Sequence, residues 1–163
     1  MSAAGSARWL EMSTVADRLA EIGLTIPQIA APVASYVPAV RSGNYVYTSG
    51  QLPFVDGVLP ATGKVGAEVS AEAAHDLARI AALNVIAAIG SVADLDQVVR
   101  IVKLGVFVAS APDFTGQPAV ANGASDVFAA AFVPAGAHAR SAVGVAVLPL
   151  DTPVEIDAVI ELA

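Results

Sequence analysis

The chain has 163 residues, with 15 acidic against 8 basic side chains and a formal net charge of −7, which is enough length for one domain with a real core. That balance disfavours a nucleic-acid binder, which needs a basic patch to displace counterions, and equally a binder of anionic membranes. With no cysteine, disulfides, thiolate catalysis and Cys-ligated metals are excluded.

In chain order, residues 1–11 read as a loose extension and Met12 as a second candidate start. Ser13 resembles the N-cap of a short helix over residues 14–22, with Val15, Leu19 and Ile22 on one side and Gly23 as its stop. Residues 25–38 are Pro-rich and extended. The N-terminus lacks a basic run followed by an apolar stretch, so no secretory signal is expected. The longest charge-free run, residues 22–40, contains Pro27, Pro32 and Pro38, so no membrane-spanning helix is expected, and the chain reads as cytoplasmic. Residues 1–30 form an N-terminal extension and residues 31–163 a single domain.

Residues 39–40 and 45–50 (YVYTSG) predict a hairpin around Arg41-Ser42-Gly43-Asn44, followed by a Gly/Pro-rich loop over residues 52–64. Ser70 caps a long helix that reaches Ile89 and ends at Gly90. Its apolar stripe is Ala74, Leu77, Ala78, Ala81, Val85, Ala88 and Ile89. Residues 99–109 read as a strand, with Val102, Leu104, Val106 and Val108 toward the helices and Lys103, Gly105 and Phe107 away. Pro118 suits the first position of a second helix running to about Phe132. Residues 137–163 form two strands joined by a turn at 148–153. In the first, Val143, Val145 and Val147 make a core face, with Arg140, Ala142, Gly144 and Ala146 on the other. In the second, Val154, Ile156, Ala158, Ile160 and Leu162 oppose Glu155, Asp157 and Glu161.

The order β-β-α-β-α-β-β predicts an α+β, two-layer fold: one mixed, mostly antiparallel sheet with two helices on one face. The other face would carry Tyr45, Tyr47, Gly105, Phe107, Ala142 and Gly144. An apolar patch of that size predicts association through it.

Several chemical readings of the residues fail or stay open. Between Gly57 and Gly63 stand five residues rather than four, and Val65 replaces the Ser/Thr of a phosphate loop. Tyr47 stands where a nucleophile elbow at Ser49 requires glycine. His75 and His138 have no metal-ligand spacing, so each reads as a surface or interface residue. Arg140, ahead of a row of small residues, serves either as a strand-end charge paired with a carboxylate or as an anchor for an anionic ligand. Tyr36 reads equally as a core aromatic, Ser49 as a strand-end hydroxyl, Asn122 as a helix cap and Glu155 as a solvated partner of Lys103.

Five segments together resemble the RidA/YjgF family of reactive-intermediate deaminases, in the family's order. They are residues 31–36 (APVASY), 45–53 (YVYTSGQLP), Asp113-Phe114 with 122–128, 139–149 (ARSAVGVAVLP) and 154–158 (VEIDA). The match covers residues 32–162. The N-terminal helix and residues 121–126 are similar to a longer subgroup. The resemblance implies a chorismate-mutase-like homotrimer with ligand sites in clefts between subunits. It implies hydrolysis of enamine/imine intermediates, such as 2-aminoacrylate, to 2-keto acids and ammonia, with no metal or organic cofactor. On that resemblance Arg140 grips the substrate carboxylate and Glu155 holds or activates the attacking water. The backbone at Ala142 bonds the imine or keto end, and Tyr36, Ser49, Gly50 and Asn122 line the pocket. The chain departs from the family pattern in three places: Ala142 replaces a frequent Cys, Ser35 replaces the usual Pro before Tyr36, and an insertion lies between Phe114 and Asn122. Partners are then a small carboxylate substrate and copies of the chain itself, without nucleic acid or membrane. A non-catalytic binder of small carboxylates, an endoribonuclease and a purely structural oligomer are the alternatives.

Overall fold

A computed structural model describes residues 13–29 and 35–163. The extension at residues 1–11, Met12 and most of the 31–36 segment therefore lie outside the described residues. Helix α1 (Val15–Glu21) opens on Thr14, one residue later than the Ser13 expected as its cap. The Thr14 hydroxyl accepts from the Asp17 N–H, and the Asp17 carboxylate accepts from the Thr14 N–H. This helix is tied to the rest of the chain. Val15 and Leu19 are buried, Arg18 Nε donates to the Ala131 carbonyl (2.7 Å), and the Val15 N–H donates to Asp96 (2.8 Å).

Strands β1 (Ala39–Ser42) and β2 (Tyr45–Thr48) form a hairpin with Gly43-Asn44 as its two-residue loop. Gly43 takes φ +59°, the left-handed value that a type II′ turn needs at its first central position. Helix α2 (Ala71–Gly90) follows, capped by the Ser70 hydroxyl. A 3-10 turn (Leu95–Gln97) leads into β3 (Val98–Ala109), and helix α3 (Gln117–Ala131) leads into β4 (Ala139–Val145). A second 3-10 turn (Pro149–Asp151) precedes β5 (Val154–Leu162). The sheet order is β1-β2-β5-β3-β4, all antiparallel except β3 with β4. The predicted α+β sandwich of one mixed sheet and helices on one face is therefore the observed fold.

The core lies between the sheet and α2 and α3. It takes Val154, Ile156, Ala158, Ile160 and Leu162 from β5 and Leu104, Val106 and Val108 from β3, as the alternation predicts. By length and composition α2 would pass as a membrane span, which the charge-free-run argument did not flag. Here its stripe of small residues lies in the core. A Cβ on Gly123 of α3 would overlap the His75 carbonyl of α2, so only glycine allows the two helix backbones to come this close.

Two expectations are corrected. In β3 the residue facing the core near the start is Ile101, not Val102, because register shifts flank that stretch and change the alternation. The faces of β4 are inverted. Arg140, Ala142 and Gly144 lie on the helix-covered side, in register with Leu104, Val106 and Val108, whereas Val143 pairs with Phe107 on the bare side and is 42% exposed. The small residues are a close fit to covering side chains: a Cβ on Gly144 would come 2.7 Å from Gln117 Nε2 and 3.1 Å from Ser110 Oγ. Ala142 and Gly144 therefore do not belong to the bare face, while Tyr45, Tyr47, Gly105 and Phe107 do.

Candidate active site

The predicted site residues gather into two clusters. The first is built on α3 and β4. Arg140 Nη1 donates to Asn122 Oδ1 (2.8 Å) and to Ser125 Oγ (3.0 Å), and Nη2 makes a long 3.5 Å contact with the Pro118 carbonyl. Both Nη1 hydrogens are thus engaged by α3. Among the described residues Nε has no acceptor, which leaves the Nε/Nη2 edge for a planar carboxylate in side-on, bidentate geometry.

β4 is an edge strand, and its outer edge matters here. The Ser110 N–H donates to the Val145 carbonyl (3.0 Å). By the two-residue alternation of a parallel ladder, Val145, Val143 and Ser141 turn their main-chain groups toward β3, and Gly144, Ala142 and Arg140 turn theirs outward. The Ala142 N–H and C=O therefore stand on the open edge next to the held guanidinium.

The second cluster is built on β5 and the chain that extends β2. Gln51 exchanges two main-chain hydrogen bonds with Ile156 (2.7 and 3.0 Å), which carries residues 49–51 alongside the start of β5. Gly50 thereby lies directly under the Glu155 side chain, and a Cβ at Gly50 would overlap its carboxylate. Ser49 bonds the Pro38 carbonyl through its N–H (2.8 Å) and the Val37 carbonyl through its hydroxyl (2.7 Å), so it ties this cluster to the segment bearing Tyr36. Tyr36 is exposed. It lines, with Gly50, Gln51, Leu52 and Leu83, a groove of about 720 Å³ beside α2.

Electrostatics single out Glu155. The half-buried carboxyl is held above its ordinary range, first by burial and then by the neighbouring Asp157 carboxylate. Asp157 is raised as well, by burial, with the Gly105 N–H and Lys103 pulling it back. Lys103 faces Asp157 rather than Glu155, and Glu155 makes no ion pair among the described residues. The solvated Glu155–Lys103 pair is therefore not what the structure contains.

Within one chain the clusters do not meet. Arg140 lies on the helix side of β4 and is pinned to α3, and Glu155 lies on the bare side of β5. Strand β3 separates them, placing β4 and β5 about 10 Å apart. Ser125 and His138 were not among the expected site residues. The signal was local: Ser125 is one helical turn beyond Asn122, and His138 is two residues before Arg140.

Residues 27–162 match the sequence model of the family described as Endoribonuclease L-PSP. The chain belongs to that family, the RidA/YjgF proteins that its motifs resemble. Protein TCP17 of Trypanosoma cruzi is 46% identical over 150 residues, 91% of this chain and 94% of that protein. A 2-iminobutanoate/2-iminopropanoate deaminase of Escherichia coli strain K12 is 40% identical over 131 residues, 79% of this chain and 88% of that one. The crystal structure of a protein of unknown function from Agrobacterium tumefaciens superposes with a TM-score of 0.87 at 41% identity, over 98% of this chain and 99% of that one. E. coli TdcF with bound serine superposes at 0.64 and 30% identity, over 86% and 97%.

Proposed function

We propose that this chain hydrolyses enamine/imine forms of small amino acids to 2-keto acids and ammonia, in clefts that two copies complete within a homotrimer. The observation that carries this reading is the placement of Arg140, with its Nε/Nη2 edge open, and of the unpaired Glu155 carboxyl, raised by burial and Asp157, on opposite faces of the same sheet. Each is half of a site that a second copy would complete. The deaminase name of a relative and the serine bound to TdcF support a small amino-acid skeleton as the ligand class.

The chemistry follows from the groups. The Nε/Nη2 edge of Arg140 fixes the substrate carboxylate, and the outward main chain of Ala142 bonds the imine nitrogen or the forming keto oxygen. Glu155 of the facing copy takes a proton from water as the water oxygen adds to the imine carbon. That proton passes to the nitrogen to give a carbinolamine, and Glu155 then carries the hydroxyl proton to the nitrogen as the C–N bond breaks, ammonia leaves and the carbonyl forms. A carboxyl raised above its usual range suits both steps, since it is a stronger base than a solvated carboxylate.

The test is release of ammonia and keto acid from 2-aminoacrylate or 2-iminobutyrate generated in situ. Arg140→Ala and Glu155→Gln should each lower kcat/KM by about 100-fold or more. A wild-type rate equal to the uncatalysed one would overturn the proposal. Tight carboxylate binding without turnover, unaffected by Glu155→Gln, would assign the cleft to binding alone.

A further inference from the structure

Arg140 is held by more than Asn122. Ser125 Oγ accepts from Nη1 at 3.0 Å and lies 2.9 Å from His138 Nε2, and His138 Nδ1 lies 2.6 Å from the Gly136 carbonyl. A carbonyl only accepts, so Nδ1 carries the hydrogen, and in the neutral ring Nε2 is an acceptor. The Ser125 hydroxyl then donates to Nε2, and its oxygen is left to accept from the guanidinium. The bonds run in one direction: Arg140 N–H to Ser125, Ser125 O–H to His138, His138 N–H to Gly136. The imidazole packs edge-on to Phe128, with ring centroids 6.5 Å apart, and Phe128 is fully buried. The chain of bonds is thus anchored in the core at one end and grips the cation at the other.

A serine and a histidine at this distance also have the spacing of a nucleophile and its base. Ser125, however, sits inside α3, where neighbouring backbone N–H groups serve the helix and leave no oxyanion donors. Its hydroxyl oxygen already faces a guanidinium. The arrangement serves the arginine.

We infer that Ser125 and His138 are positioning residues that fix the Arg140 guanidinium, so that its Nε/Nη2 edge is presented ready-oriented to the substrate carboxylate. This rests on the proposed function for the carboxylate but not for the bond relay itself. A guanidinium with both Nη1 hydrogens engaged loses little further freedom on binding, and that preorganisation lowers the cost of capturing a small ligand.

The experiment has two arms, both on the full chain. NMR of the unliganded protein reads rotation of the Arg140 guanidinium. Slow rotation is expected in the wild type, faster rotation in Ser125→Ala and His138→Ala, and slow rotation again in His138→Gln, whose amide oxygen offers Ser125 an acceptor near the Nε2 position. Kinetics with the in situ generated imino acid should show KM raised about tenfold in Ser125→Ala, with kcat changed less, and restored in His138→Gln. A merely structural role would lower the melting temperature of both alanine variants without moving the rotation rate. Unchanged rotation in Ser125→Ala, or His138→Gln as defective as His138→Ala, would overturn the inference. If the wild type turns over no imino acid while rotation responds as described, the relay stands and the carboxylate assignment falls.

Discussion

Glu155 sits where a carboxylate is costly, and the cost has a sign. Its proton affinity is raised first by burial and then by Asp157, so the folded chain holds that proton more tightly than the unfolded chain does. A raised carboxyl contributes stability that is fully present below its ordinary value of 4.5 and is lost as pH rises through the folded value. Glu155→Gln, which cannot ionise, should therefore melt at a higher temperature than the wild type at pH 7 to 8. The gap should close below about pH 4.5. Thermal unfolding followed across that range checks it, and a variant less stable than wild type at neutral pH would refute the burial argument. The same residue tests its glycine floor. Gly50→Ala places a methyl group where the carboxylate now rests, on a backbone that alanine can adopt. The expected result is a loss of about 100-fold in kcat/KM with the fold retained, because the displaced carboxylate no longer lies where the proposed mechanism holds water.

At the scale of elements, the two helices depend on small residues. Ala74, Ala78, Ala81 and Ala82 on α2, with Ala121, Gly123 and Ala124 on α3, are all buried. The obstacle at Gly123 is the His75 carbonyl, a backbone atom that cannot swing away. Gly123→Ala should cost about 2 kcal/mol despite the better helix propensity of alanine. Differential scanning calorimetry should register this as a melting point lower by about 5 °C.

Helices and central strands of this kind were legible because their periodicity is strong and both ends carry turn or cap residues. The α2 stripe and the alternation of β5 are seen as read. The β4 error has a different origin. Its valines and its small residues alternate cleanly, but alternation says only that two faces differ. Which face is covered is decided by α3 and by side chains such as Gln117, distant information that the strand does not carry. Motif order singled out Arg140, Asn122, Gly50 and Glu155, which the structure brings together as two separate pairs. Periodicity alone placed Arg140 and the carboxylates on one face, and that is the part the register overturns. His138 looked like a surface residue because its partner, Ser125, is 13 positions away and meets it only after α3 has turned back onto the sheet.

For the whole molecule, the bare sheet face combines exposed Tyr45, Tyr47, Val40 and Val143 with half-buried Glu155 and Asp157. Tyrosine and valine at that exposure suit a surface that another copy covers, and a closed ring of copies would bring the edge of β4 on one to the carboxylate face of the next. This geometry differs from a site contained in one chain by a measurement that needs no structure. Arg140→Ala and Glu155→Gln should each be inactive alone. When the two variants are unfolded, mixed in equal amounts and refolded together, a cleft that takes Arg140 from one copy and Glu155 from another is intact whenever a Glu155→Gln chain supplies the arginine and an Arg140→Ala chain supplies the glutamate. For random assembly that is about a quarter of the clefts, so activity should return to about a quarter of the wild-type level. If both residues of a cleft came from the same chain, every cleft in the mixture would carry one lesion and no activity would return. Refolding each variant separately and mixing afterwards is the control, since assembled rings that do not exchange chains would stay inactive. Recovery in the co-refolded sample alone would tie the chemistry to the contact between copies, as the proposed cleft demands of an Arg140 and a Glu155 that lie on opposite faces of one sheet.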